Sequence, residues 1–371
     1  MKSMAIGIFA AVSLGSIAAR GAFTLDEGSE LFLTATVSQQ YDDNIFLRTN
    51  NAKSDSITTF TPGFDLKFGQ NAPGKGSLTF GEALSYYASH SSQNSNLASV
   101  VFNTIYDDGK TKGTFNASYN QVAQNSVDVR LADTLVRRDL TDVNGRGEWS
   151  LSDKTSFAVG GAYDRTDYKQ SQFVSNDQFS IPVDFYYELA PKYDLSVDYR
   201  YRKTDLNHNL PGFTDNFIGV GARGRFTELL TGEYHFGYGQ RKIGSGGGNK
   251  TLLGVDSSFT YLCTPKTTVQ LGVSNDFGSS ATGVSQKILS GTLGVSTQFE
   301  EGFSGSGSLG YRDLDYANHE RDHYLEGTLG VQYKVNQYVS LAAAYTYRNN
   351  STNVHTDFTD NVFSISGTLR Y

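Results

Sequence analysis

The chain has 371 residues, 38% hydrophobic and 13% aromatic, with a formal net charge of −7. Past the N-terminal segment no run approaches the roughly 18 apolar residues of a membrane helix, which excludes helical spans. The acidic balance, without a basic domain or tail, excludes general nucleic-acid binding, and the single cysteine, Cys263, excludes an internal disulfide or a cysteine-rich metal site.

In chain order, Lys2 precedes a mostly apolar or small stretch from Met4 to Ile17. Small residues then stand at the spacing of a signal cleavage site, in Ser16-Ile17-Ala18 or Ala19-Arg20-Gly21. The stretch is short for a bilayer span, so residues 1–21 read as a secretory signal and 22–371 as one domain. No Leu-x-x-Cys follows, so no lipid anchor is expected.

The full chain is rich in Tyr (23), Phe (24) and Gly (39), with only 6 Pro. That composition favours strands and tight turns over helices. Apolar and polar residues alternate over stretches of roughly 10 to 14 residues, as in Leu195-Ser196-Val197-Asp198-Tyr199-Arg200 and Val339-Ser340-Leu341-Ala342. A period of 2 with a polar second face is what a lipid-embedded barrel needs, because only every other residue meets lipid. Counting such stretches predicts about 18 strands (16–18), all antiparallel, in an up-and-down transmembrane β-barrel with both termini on one side.

Short connections at 71–75, 107–110, 152–154, 190–192, 227–229, 264–266, 300–302 and 335–337 are placed at the periplasmic end. Longer polar ones, including 123–136, 169–176, 207–214, 243–249 and 349–357, face outward. Strands rising to the outer face recurrently end in Tyr plus charge or amide, 38 residues apart from Tyr163 to Tyr201 and 36 from Tyr311 to Tyr347. The third strand fits least well. Its alternation puts Glu82 toward lipid, and Pro62 in the preceding strand suggests a bulge.

The last nine residues alternate to a C-terminal aromatic, with Phe363, Ile365, Leu369 and Tyr371 on one face. This ending is similar to the C-terminal signature that the assembly machinery of bacterial outer-membrane barrels reads. The first strand closes on Tyr41-Asp42-Asp43-Asn44. With that element, the signal and the mature length, the chain resembles the β-barrel porin type 2 family. The resemblance implies a Gram-negative outer-membrane barrel associated with exopolysaccharide export, a periplasmic export partner, and no catalytic residue or cofactor.

Such a barrel leaves an aqueous lumen unless something fills it. The chain offers no plug domain. Segment 123–136 is the best candidate to fold inward but looks too short to do so fully, so the lumen is expected to be wide, or narrowed by its own side chains. Parity puts Arg200, Arg202, Arg223, Arg225 and Arg241 on the inner wall, beside Asp184, Glu188, Asp194, Asp198 and Glu233. Two readings stay open: a basic ladder guiding an anionic solute, or Arg–carboxylate pairs holding the wall in register. Asp42 and Asp43 read as solvated outer acids rather than Ca²⁺ ligands.

His319-Glu320-Arg321-Asp322-His323 spells H-E-x-x-H, but zinc chemistry needs both histidines on one face of a helix. On a strand they stand about 13 Å apart. Five histidines (His90, His208, His319, His323 and His355) fall in outer segments, which keeps a barrel enzyme as a rival, although no G-x-S-x-G accompanies them. An adhesive barrel is a third class. The reading is a channel: first a polysaccharide conduit, with a general or anion-preferring diffusion porin as alternative.

Overall fold

The computed structural model describes residues 23–26, 28–131, 133–354 and 357–371. The signal read in residues 1–21 and His355 lie outside them. Nineteen strands follow in order: β1 (Phe23–Asp26), β2 (Ser29–Asp42), β3 (Asp55–Phe68), β4 (Gly74–Tyr87), β5 (Ser95–Asp107), β6 (Thr111–Ala123), β7 (Arg137–Ser152), β8 (Thr155–Tyr168), β9 (Asn176–Ala190), β10 (Tyr193–Leu206), β11 (Phe213–Arg225), β12 (Leu230–Ile243), β13 (Asn249–Thr264), β14 (Thr267–Ser279), β15 (Ser285–Glu300), β16 (Phe303–Tyr316), β17 (Arg321–Lys334), β18 (Val339–Thr352) and β19 (Phe358–Arg370).

From β2 onward each strand pairs antiparallel with the next, and β19 returns to β2 from Val362↔Asp42 to Arg370↔Thr34. The Leu33 amide donates to the Tyr371 carbonyl (2.7 Å) and the Tyr371 amide to the Leu33 carbonyl (2.9 Å), which seals the seam. The result is a closed barrel of 18 strands, as expected. Closure leaves no edge and no unpaired ladder in lipid. β1 is a short flap on the first barrel strand, Phe23↔Leu31 and Thr24↔Glu30.

Alternation decides the faces. Leu195, Val197 and Tyr199 of β10 are exposed outward, whereas Ser196 and Asp198 are buried inside. Strands of 13 to 16 residues exceed the roughly 9–11 needed to cross hydrocarbon, so their ends stand in the interfaces. Turns near the termini are tight. Between β5 and β6, Gly109 takes φ 84°, and the Asp108 carboxylate accepts the Thr111 (2.7 Å) and Lys110 (2.9 Å) amides. Those two bonds hold its carboxyl below the usual range.

The bulge expected near Pro62 is absent. Register is the same on either side of it, Phe60↔Leu84 and Gly63↔Gly81. Proline simply lacks the N–H for its rung. Glu82 therefore stays on the outward face between Phe80 and Leu84.

Candidate pore constriction and lumen wall

The connections far from the termini do not stand free in solvent; the β6–β7, β2–β3 and β14–β15 loops turn into the barrel. In the β6–β7 loop, residues 124–136, Val127 buries against Leu314, Tyr316, Tyr324 and Phe358. Those side chains point inward from β16, β17 and β19, on the far side of the ring from β6 and β7. Asp128 accepts the Ala281 amide of the β14–β15 loop at 2.9 Å. Asn125, fully buried, donates to the Phe46 carbonyl (3.2 Å) and accepts the Val136 amide (3.1 Å).

Phe46 belongs to the β2–β3 loop, residues 43–54, which the sequence did not single out. It is 1% exposed and clusters with Ile45, Ile57 and Leu135, while Leu47 joins the Val127 cluster. Arg48 and Asp133 clasp the two loops at 2.7 Å. An apolar residue on an outer loop has only the lumen in which to bury, and each such burial contributes about 1.5–3 kcal/mol. The expectation of a wide lumen is thereby corrected. Segment 124–136 does not cross unaided; the β2–β3 and β14–β15 loops come in to meet it.

The Tyr41-Asp42-Asp43-Asn44 element organises the entry to the first of these loops. Tyr41 is exposed outward, but Asp42 is buried and accepts the Asn44 amide at 2.8 Å. Asp43 takes the Asn361 amide (2.8 Å) and the Asn361 side chain (2.7 Å). Asn44 donates to the Thr359 and Arg48 carbonyls, both at 2.8 Å. These contacts fasten the end of β2 and the start of the loop to β19, across the barrel seam. Asp42 is buried and Asp43 half-buried, rather than both solvated at an outer tip, because closure of the ring places β19 beside them. Asp42, Asp43 and Asp360 bring carboxylate oxygens within 4.8 Å of one another, with Arg348 on Asp360 at 3.1 Å. Among the described residues they form the one such acidic group.

The predicted arginines divide into two buried networks and one outlier. Arg241, 1% exposed, grips Asp215 through Nε (2.6 Å) and Nη2 (2.7 Å) between the rings of Phe213 and Phe277. Arg202 reaches Asp215 (2.8 Å) and Asp276 (2.9 Å), and Arg200 shares Asp276 at 2.9 Å. Nearer the termini, Arg223 makes a fork onto Glu148 (2.7 and 2.6 Å), adds Asp194 (3.0 Å) and covers the Tyr186 ring at 3.5 Å. Arg146 bonds Asp184 and the Tyr186 hydroxyl. Asp198 pairs with His235 at 2.9 Å.

Arg225 lies outside both networks, exposed at the strand end with Glu228 of the turn at 3.5 Å. Glu188 sits at the same end, and Glu233 faces inward but stays exposed. Parity thus gives the face of these residues, but the partners Glu148, Asp276 and Asp215 were missed. For Glu148 and Asp276 the reason is reach: Arg223 on β11 meets Glu148 on β7, and Arg202 on β10 meets Asp276 on β14, each four strands away, whereas Asp215 stands directly across from Arg202 and Arg241 in the strand register. Small residues permit it, notably Ala158 and Gly160 between β7 and β9.

A family model described as "Putative beta-barrel porin 2" matches residues 31–371. The chain belongs to that family. It is an outer-membrane β-barrel porin of the Gram-negative envelope, in contact with membrane lipid. No curated protein matches it. Among solved structures, Pseudomonas aeruginosa OccK2 (OpdF) in complex with glucuronate is similar with TM-score 0.50 and 10% identity, over 92% of this chain and 98% of that one. P. aeruginosa OpdK with vanillate gives 0.49 and 11%, over 92% and 99%. Acinetobacter baumannii OccAB4 gives 0.48 and 14%, over 94% and 99%. OccK2 shares the fold of this porin.

The H-E-x-x-H residues of the porin form a turn and a strand end rather than a helix. His319 has φ 71° in the turn, and His323 on β17 lies beside the Tyr311 ring, its Nδ1 3.1 Å from the Tyr311 hydroxyl. His90 is held by Asp55 at 2.8 Å. Phe363, Ile365, Leu369 and Tyr371 all stand exposed on the outward face, with Tyr371 against Tyr338 and Phe23 in a ring of aromatics at the terminal end.

Proposed function

We propose that this porin is a selective channel for small solutes, narrowed at its outer mouth by the inward β6–β7 loop and the loops that meet it. The observation that carries this reading is the packing of Val127 on the inner face of β16, β17 and β19, which takes the loop across the lumen. An open polymer conduit, the expectation attached to the family resemblance, requires these loops and their clasp to leave; no feature of the geometry favours that. The fold-level relative OccK2 was crystallised with glucuronate, a solute of the size proposed. Most of the arginine ladder serves the wall: its charges are answered by Glu148, Asp194, Asp215 and Asp276, which supports the pairing reading over an open basic track. Delivery to the membrane is assigned to the barrel-assembly machinery acting on Phe363, Ile365, Leu369 and Tyr371.

Vesicle swelling with neutral sugars of rising size tests the reading. Mono- and disaccharides are expected to enter and oligosaccharides of more than a few units to be excluded. Free passage of long oligosaccharides would reject it.

A further inference from the structure

One inward arginine breaks the pattern of the others. Arg312 of β16 makes no hydrogen bond and no ion pair among the described residues, and its Nε is buried without an acceptor. Its guanidinium lies 4.5 Å above the Tyr324 ring. The nearby inward acids are already committed: Glu326 accepts the Tyr324 hydroxyl (2.7 Å) and the Arg348 Nε (3.1 Å), and Asp322 accepts the Tyr316 hydroxyl (2.9 Å) and the Asn350 Nδ2 (3.4 Å). Arg312 is half-buried, so a cation is held at the lumen wall without a direct ion pair among the described residues. A guanidinium with open donors is matched by a carboxylate, which takes two parallel hydrogen bonds.

The surroundings define the rest of the site. Strand register sets Ser274, Ser290, Arg312, Tyr324 and Asn350 in one inward row across β14 to β18. From β14 to β18 Arg312 is the row's one charge, Asp256 of β13 continues the row beyond Ser274, and the Asn350 side-chain oxygen is buried without a donor. It lies immediately beneath the constriction: Leu314 and Tyr316, the next inward residues of β16, and Tyr324 itself pack with Val127 of the crossing loop. A solute that clears the loop meets this row next.

We infer that Arg312, seated on Tyr324, is the carboxylate-binding subsite of the channel, and that its solutes are small hydroxylated organic acids. Arg312 takes the carboxylate, and the Ser274 and Ser290 hydroxyls face the solute's own hydroxyls. The inference rests on the small-solute reading above and gives it a chemical class.

Single-channel recording with gluconate and its neutral counterpart sorbitol tests it. Gluconate is expected to interrupt the current of the intact porin in a saturable manner, whereas sorbitol is not. Arg312→Gln should raise the half-blocking gluconate concentration by about tenfold or more, the loss expected when charge-assisted hydrogen bonds are removed. Arg312→Lys should keep part of the block. Open-channel steps in each variant report a folded barrel. Gluconate block unchanged in Arg312→Gln would overturn the subsite, as would equal block by sorbitol. Vesicle swelling of the intact porin separates the two claims: size exclusion that holds while gluconate fails to block the intact porin rejects the subsite and leaves the small-solute channel standing.

Discussion

Asp215 shows how much one side chain carries. It answers both Arg202 and Arg241, each almost wholly buried, so its removal leaves Arg241 without a carboxylate and Arg202 with Asp276 alone inside the wall. Asp215→Ala should cost about 3–5 kcal/mol. Asp205→Ala, which frees only the exposed Lys203, should leave stability nearly unchanged. Urea unfolding followed through Trp149, the single tryptophan, measures both. Equal costs would show that the buried network does not hold the wall. At this scale the sequence was legible in half. Alternation fixes which side of a strand Arg202 or Arg223 occupies, because side chains repeat every second residue. It is silent on which strand the tip will meet, since that depends on wall curvature and on small residues such as Ala158 along the way. Arg225 obeys the same alternation, yet it sits where the strand gives way to a turn and finds only Glu228.

Among the elements, the strands were the legible part and the outer loops were not. Turn chemistry and period-2 patterning located the hairpins because each is local. The inward fold of segments 43–54 and 124–136 is a contact between distant loops, and neither segment has a pattern that declares it in isolation. Glycine also acts at this level. Phe217 of β11 lies over Gly254 of β13, where a Cβ would stand 2.2 Å from the ring, and Arg200 stacks on Phe217 at 5.4 Å. Gly254→Ala should therefore displace the ring and cost about 1–3 kcal/mol. Gly291→Ala, with open space around the new methyl, should be tolerated far better. The same unfolding assay decides between them; equal effects would remove Phe217 as the reason for the glycine.

For the whole molecule, closure and passage are the two properties at stake. Closure runs through the β19–β2 seam, where Tyr371 adds two backbone hydrogen bonds and two aromatic contacts. Deleting Tyr371 should lower the yield of assembled barrel in the outer membrane several-fold by heat-modifiable mobility. Refolding of the purified chain into vesicles should suffer much less if the residue is chiefly read by the assembly machinery, and equally if it is chiefly a seam residue. Passage rests on the crossing loop. The decisive measurement is single-channel conductance of the porin with residues 125–135 replaced by a short Gly-Ser turn. A several-fold rise in conductance, with entry of oligosaccharides that the intact barrel excludes, is the predicted result. Conductance and size limit unchanged by the replacement would contradict the account.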